Sequence, residues 1–230
     1  MKNLVRIVFV LTVSIMNVYP KEFIVALDIG HSPKKAGAIS ASGYREYNFN
    51  RSLTLTVYKE LARQHIKAVF VNSSEKDIEL KERTSNAKLL GASIFLSIHH
   101  DSVPANFFYL TEKHYIRGFG TFVSTKNKYF EQSLFLASKI SNSLLTQKYK
   151  FNTFHNLRIK GESKEILEDG VYKYDDLLVL KTAQMPAVLI EAAVIANPND
   201  EILATKQNYK AGIAKAIALA ILEYQNASIK

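Results

Sequence analysis

Ser93-Ile94-Phe95-Leu96-Ser97-Ile98 runs straight into His99-His100-Asp101. A short apolar run of this kind is what a strand buried on both faces looks like. Two other stretches share the design. Phe23-Ile24-Val25-Ala26-Leu27 runs into Asp28-Ile29-Gly30-His31, and Pro186-Ala187-Val188-Leu189-Ile190 runs into Glu191. The chain has 6 histidines in 230 residues, and His31, His99 and His100 all sit in these places. Imidazole and carboxylate at the ends of neighbouring buried strands is how an α/β scaffold builds a hydrolytic metal site.

Outward from these runs, strands alternate with helices. A polar loop over residues 30–43 follows the first strand, long enough to be functional. A helix starts near Arg45, where Phe49, Leu53, Val57 and Leu61 recur on one face. Residues 68–71 read as a strand. Residues 78–90 read as a helix with Leu80, Ala87 and Leu90 inward, closed by Gly91. Residues 120–124 read as a strand, and residues 131–145 as a helix with Leu134, Ala137 or Ser138, Ser141 and Leu145 on one side. Residues 177–180 and 187–190 read as strands. Residues 209–224 form a closing helix carrying Ile213, Ile217, Ala220, Ile221 and Tyr224. The pattern predicts one α/β domain with a central sheet covered on both faces. Residues 101–118 read as a long irregular stretch, and residues 148–170 are polar with no element assigned.

Hydrophobic residues make up 47% of the chain, enough for a core without cross-links, and cysteine is absent. That excludes disulfides, thiolate zinc sites and a cysteine lipid anchor. The net charge is +9. It suits solubility or an anionic partner such as a cell-wall polymer. The basic residues are scattered without a basic-aromatic ladder, which argues against nucleic acid. Lys2 and Arg6 precede an apolar segment, residues 7–16, broken only by Thr12 and Ser14. This reads as a secretory signal or an uncleaved N-terminal anchor, too short for a comfortable membrane span, rather than as a first strand or helix of the fold. Residues 1–20 are therefore set apart from a domain over 21–230, exported to the periplasm or secreted.

Taken singly, His31 and Glu46 have bland readings, as a loop histidine and a helix-start acid. His99, at a strand end, is a stronger site candidate. Glu191, at the end of an apolar run, must be partnered, protonated or functional. Two imidazoles and a carboxylate make a three-ligand zinc site, and a further carboxylate can take a proton from water.

The same residues resemble a family. The chain is similar to the zinc-dependent N-acetylmuramoyl-L-alanine amidases of the AmiA, AmiB and AmiC type. The similarity lies in Asp28-Ile29-Gly30-His31-Ser32 followed by Ala36-Gly37-Ala38, and in Glu46-Tyr47-Asn48-Phe49. It continues through Glu82-Arg83-Thr84-Ser85-Asn86-Ala87 and Ser97-Ile98-His99-His100-Asp101. It closes with Met185-Pro186-Ala187-Val188-Leu189-Ile190-Glu191 and Asn197-Pro198. The resemblance implies a mixed, mostly parallel six-stranded sheet flanked by about six helices. It implies one zinc held by His31, Glu46 and His99, with Glu191 as the catalytic glutamate. It implies hydrolysis of the amide between N-acetylmuramic acid and L-alanine, on peptidoglycan, by a monomer with or without an activator protein. His100, Asp101 and Asn197 are candidate contacts behind the metal or with substrate.

The chain departs from that pattern at Ile29, Ser32, His100, Ala193 and Val194. His100 stands as a nearby polar group, a competing ligand or a surface residue. Residues 148–170 read as a surface loop, or as an inhibitory insertion with a helical turn or two within 159–168. His65 sits at a helix end. His114 and His155 read as solvated, and Phe107-Phe108-Tyr109 as packing under its loop. Rival readings are a zinc peptidase or deacetylase of another acyl substrate, and an inactive wall-binding module.

Overall fold

The computed structural model describes residues 22–72, 76–103, 116–156 and 164–228. The leader, His114 and the Phe107-Phe108-Tyr109 run lie outside the described residues.

Among the described residues, seven strands form one sheet: β1 (Ile24–Ile29), β2 (Lys67–Phe70), β3 (Ile94–Asp101), β4 (Gly120–Val123), β5 (Lys164–Glu168), β6 (Val171–Tyr174) and β7 (Ala187–Val194). Their order is β2-β1-β3-β7-β4-β6-β5. The pairs β1–β2, β1–β3, β3–β7 and β4–β6 are parallel, and β4–β7 and β5–β6 antiparallel. Among the described residues the helices are α1 (Glu46–Arg63), α2 (Leu80–Leu89), α3 (Phe130–Thr146), α4 (Leu178–Thr182), α5 (Pro198–Thr205) and α6 (Gln207–Ser228), with a 3-10 turn at Thr153–Asn156.

Strand alternation sorts the core into two layers. Val25, Leu27, Ile94, Leu96, Ile98, Val188 and Ile190 pack with residues of α1, α3 and α6. Ala26, Phe95, Ala187 and Leu189 pack with Ala87 of α2 and Val179 and Leu180 of α4. By the same two-residue period, Asp28, Ser97, His99 and Glu191 share the α2/α4 face, whereas His100 belongs to the opposite one. Register then brings the ends together. Asp28 lies beside Ser97, and His99 beside Glu191.

Several expectations are corrected. The described sheet has seven strands rather than six, because residues 164–174 add two as a hairpin across a two-residue Asp169-Gly170 turn while the strand expected over 177–180 is absent. Gly170 has φ +73°, as a tight hairpin turn needs. Residues 164–168 are therefore a charged edge strand, not a helical turn or a loop. Residues 178–182 are helical; a short apolar run does not distinguish a strand from a buried helical turn. On α2, Ala87 is buried, but Leu80 and Leu90 are 42% and 44% exposed. Arg83 and Thr84 fill the inner face instead. On α3 the buried face runs through Leu136, Ala137, Ile140, Ser141 and Leu144, with Leu134 and Leu145 only half-buried.

Candidate active site

The first ligand candidate comes from a constrained turn. His31 has φ 67°, an uncommon left-handed conformation for a residue with a side chain. Arg83 holds it there by donating from Nη2 to the His31 carbonyl at 2.8 Å. The same guanidinium donates through Nη1 to the Ile29 carbonyl at 2.9 Å and to Asp28 Oδ1 at 3.0 Å. Ser97 Oγ donates to the other Asp28 oxygen at 2.7 Å. Arg83 and Asp28 are both buried, so this ion pair is a brace beneath the loop rather than a surface contact. Gly30 and Gly37 are needed for a different reason. A Cβ on Gly30 would stand 2.6 Å from the His99 imidazole, and one on Gly37 would overlap His31 and Glu46.

Glu46 opens α1 and is buried. Its Oε2 lies 2.9 Å from His31 Nε2, and its Oε1 3.1 Å from His99 Nδ1. One donor atom from each of the three lies within 4.8 Å of the other two. Two imidazole nitrogens and a carboxylate oxygen are donor types that zinc takes in hydrolytic sites, so the set would suit that ion. Burial pushes the Glu46 carboxyl up, but the hydrogen bonds and charges of His31 and His99 outweigh it and hold Glu46 well below the usual carboxylate range. An ionised carboxylate is what a metal ligand has to be.

Glu191 is the register neighbour of His99. Its Oε2 is buried with no hydrogen-bond partner among the described residues. Burial raises its pKa well above the usual value, helped by the Asp101 and Glu46 carboxylates and opposed by Lys164. A buried carboxyl oxygen without a hydrogen-bond partner is unfavourable for the fold, and groups with such raised pKa values cluster at functional sites.

His100 is buried and faces away from the three donors, with its Nδ1 2.8 Å from Asn50 Oδ1 and its ring 5.7 Å from Phe49. Burial pushes its pKa down to about 4. It is neither a competing ligand nor a surface residue. Asp101 accepts from Asn152 at 2.9 Å and pairs with His155 Nε2 at 2.7 Å. Desolvation pushes Asp101 up, but His155 beside it brings the net shift down. His155 is thus a buried partner of Asp101, not a solvated residue. Asn197 is fully buried. Its oxygen caps α5 and its amide donates to the Ile116 carbonyl at 2.8 Å, so it serves the fold rather than touching substrate. His65 is exposed just past the end of α1, with φ 57°.

Two adjoining cavities open on these groups. A cleft of about 330 Å³ is lined by His31, His99, Arg83, Leu178, Val179 and Leu189, with Lys35, Asp77 and Glu79 among its charged residues. A smaller cavity of about 60 Å³ holds Glu191, Asp101, His155, Lys164 and Tyr174, and Leu177 borders both.

A family model described as N-acetylmuramoyl-L-alanine amidase matches residues 25–223. The chain belongs to this amidase family. It is accordingly a hydrolase of peptidoglycan, acting at the bond between N-acetylmuramic acid and L-alanine. It is 26% identical over 228 residues to the amidase AmiA of Escherichia coli strain K12, covering 87% of this chain and 75% of AmiA. The catalytic domain of CwlV, an amidase from Bacillus (Paenibacillus) polymyxa var. colistinus, superposes with a TM-score of 0.67. That match is at 25% identity, over 89% of this chain and 98% of that one. The fold is also that of Ami1 from Mycobacterium smegmatis, with a TM-score of 0.73 at 23% identity over 89% and 97% of the two chains.

Gly37, Asn50, Arg83 and His155 were not singled out as site residues from sequence. Asn50 had a usable signal, because four residues after Glu46 is the same helical face. His155 had none, since its partner Asp101 is remote in sequence. A Gly37→Ala substitution is expected to weaken metal binding and cost stability. The left-handed φ of +76° alone costs a side chain about 1–2 kcal/mol, before any clash with Glu46. Zinc competition and thermal unfolding of the variant would measure both effects. Unchanged affinity would show that the loop can move aside.

Proposed function

We propose that the chain cleaves the muramoyl–L-alanine amide as a zinc enzyme, with His31, Glu46 and His99 as ligands and Glu191 as the general base. The convergence of three donor atoms, each within 4.8 Å of the others, beside a strand end whose Glu191 Oε2 is buried with no partner among the described residues, is the observation that carries this reading. The chemistry that a bound zinc supplies is Lewis acidity, which makes water more acidic and polarises a carbonyl. Glu46 and the two imidazoles orient that centre. Arg83 and Asp28 keep the His31 turn rigid beneath it. Glu191 takes the proton of the attacking water and returns it to the alanine nitrogen as the amide breaks. Its buried setting makes it a stronger proton acceptor than an exposed glutamate.

Export belongs to the same proposal, because the substrate lies outside the cytoplasm and residues 1–20 have the composition of a secretory leader. Among the described residues, no helix is long and apolar enough to cross a membrane. A monomer suffices for the chemistry, because all four site groups come from one chain.

The test is metal content. Purified protein is expected to hold about one zinc per chain, and His99→Ala or Glu46→Ala to hold none at the same chelator concentration. A His99→Ala protein that kept its zinc would overturn the ligand assignment. The pH profile is a second check. Glu191 acts as a base only when ionised, so kcat/KM is lost as pH falls through its raised pKa. The acid limb is expected above the ordinary value of 4.5. A limb at or below 4.5 would assign the base elsewhere.

A further inference from the structure

The turn of α1 that carries Glu46 also carries Asn50, which is fully buried between that carboxylate and the next histidine along β3. Asn50 Nδ2 donates to Glu46 Oε1 at 2.9 Å and to the Gly30 carbonyl at 3.2 Å. On its other side, Asn50 Oδ1 lies 2.8 Å from His100 Nδ1. We propose that His100 is a positioning residue for the Glu46 carboxylate, acting through the Asn50 amide, and that it thereby tightens the hold of His31, Glu46 and His99 on their metal. The inference rests on the metal-site reading above.

The polarity of the chain of contacts is forced. Glu46 Oε1 and the Gly30 carbonyl both accept, so the nitrogen of the Asn50 amide must face them. Its oxygen then faces His100, which must carry its proton on Nδ1. Turning the amide over would set an oxygen against two acceptors. With His100 in place, both ends of a buried amide are satisfied and Asn50 has one orientation. Without it, the oxygen is buried with no donor from that side, and the amide loses the contact that fixes its rotation. The cost then falls on Glu46, which binds both ligand histidines and needs Asn50 to hold its Oε1. It also falls on the Gly30 carbonyl, at the root of the His31 turn. The His100 backbone N–H adds a longer contact to Glu46 Oε1 at 3.4 Å, so β3 and α1 grip the carboxylate from two sides. Groups that orient metal ligands in this way typically contribute about 10- to 100-fold in affinity.

A simple packing role for His100 against Phe49 makes a different prediction, and zinc affinity separates the two. Zinc dissociation constants would be measured by chelator competition for the wild type, His100→Leu, His100→Asn, Asn50→Ala and the His100→Leu/Asn50→Ala double variant. Thermal unfolding of the metal-free forms would run alongside. His100→Leu is expected to weaken zinc binding about 10- to 100-fold. His100→Asn is expected to recover most of that, because its side-chain nitrogen can stand where the imidazole Nδ1 stands. Asn50→Ala is expected to weaken binding similarly, with His100→Leu adding little on top of it. Wild-type zinc affinity in His100→Leu, or full additivity in the double variant, would overturn the inference, as would an Asn variant no better than the Leu one. Lower unfolding temperature with unchanged zinc affinity is the packing result and overturns it too. A wild type that takes up no zinc would instead sink the metal-site reading. If His100→Leu does not fold, His100→Ala takes its place in the same comparison.

Discussion

Replacing Glu191 with glutamine is expected to leave zinc bound and to lower turnover about 10²- to 10⁴-fold, the usual contribution of a positioned proton carrier. Glutamine keeps the shape and removes only the ability to take a proton. Zinc retention follows because Glu191 is not among the three converging donors. The same variant carries a stability prediction of defined sign. A carboxyl whose folded pKa is raised binds its proton more readily in the folded state than in the unfolded one. Glu191 therefore favours the fold below its raised pKa and opposes it above, where it is ionised and its Oε2 has no partner among the described residues. At neutral pH, Glu191→Gln should unfold at the same temperature as the wild type or a higher one. Activity would be lost while stability is kept, as expected at a site where function is maintained against the interests of the fold. Retained turnover on the same substrate would remove Glu191 from the mechanism. Loss of zinc together with turnover would make it a ligand.

Arg83→Met is expected to cost about 3–5 kcal/mol of stability, because it leaves Asp28 charged and buried without its partner. Two backbone carbonyls lose donors in the same step, those of Ile29 and His31. The second holds the left-handed turn that presents the His31 imidazole, so zinc affinity should fall along with stability. Arg83→Lys should restore little. One ammonium cannot reproduce the fork that reaches Asp28 and two carbonyls at once. Asp28→Asn in the Arg83→Met background should return part of the stability by removing the stranded charge, without restoring the His31 contact. Urea unfolding and chelator competition measure the two effects separately. A stability loss under about 1 kcal/mol would mean that water replaces the guanidinium and that the pair is no brace.

The parts of the fold that were legible are those where one physical signal dominates. β1, β3 and β7 are buried on both faces, so they read as unbroken apolar runs, and their carboxyl ends mark themselves by a sudden change to Asp, His or Glu. The closing helix was legible because α6 packs one continuous face with Ile213, Ile217 and Ile221 fully buried. What stayed hidden depended on distant partners. Arg83 looks like a solvent-facing residue of a polar helix until Asp28 is placed above it. Leu80 and Leu90 looked inward because leucine usually is, but the buried arginine had taken that face. The β5–β6 hairpin carries mostly charged and polar residues at a sheet edge, where the hydrophobic pattern fades. Its one local sign was the Asp169-Gly170 pair. His155 could be matched to Asp101 only in three dimensions. Of the four groups in the proposed mechanism, Glu46 was least legible from its residue type and place, and only the family resemblance put it beside the histidines.

Digestion of purified peptidoglycan sacculi by the zinc-loaded protein, with mass spectrometry of the released fragments, tests the central claim most directly. The expected products are stem peptides with a free amino-terminal L-alanine, alongside glycan strands that have lost them, with no such release by Glu191→Gln. Fragments cut within the peptide or the glycan, or intact sacculi after incubation with protein shown to hold its zinc, would contradict it.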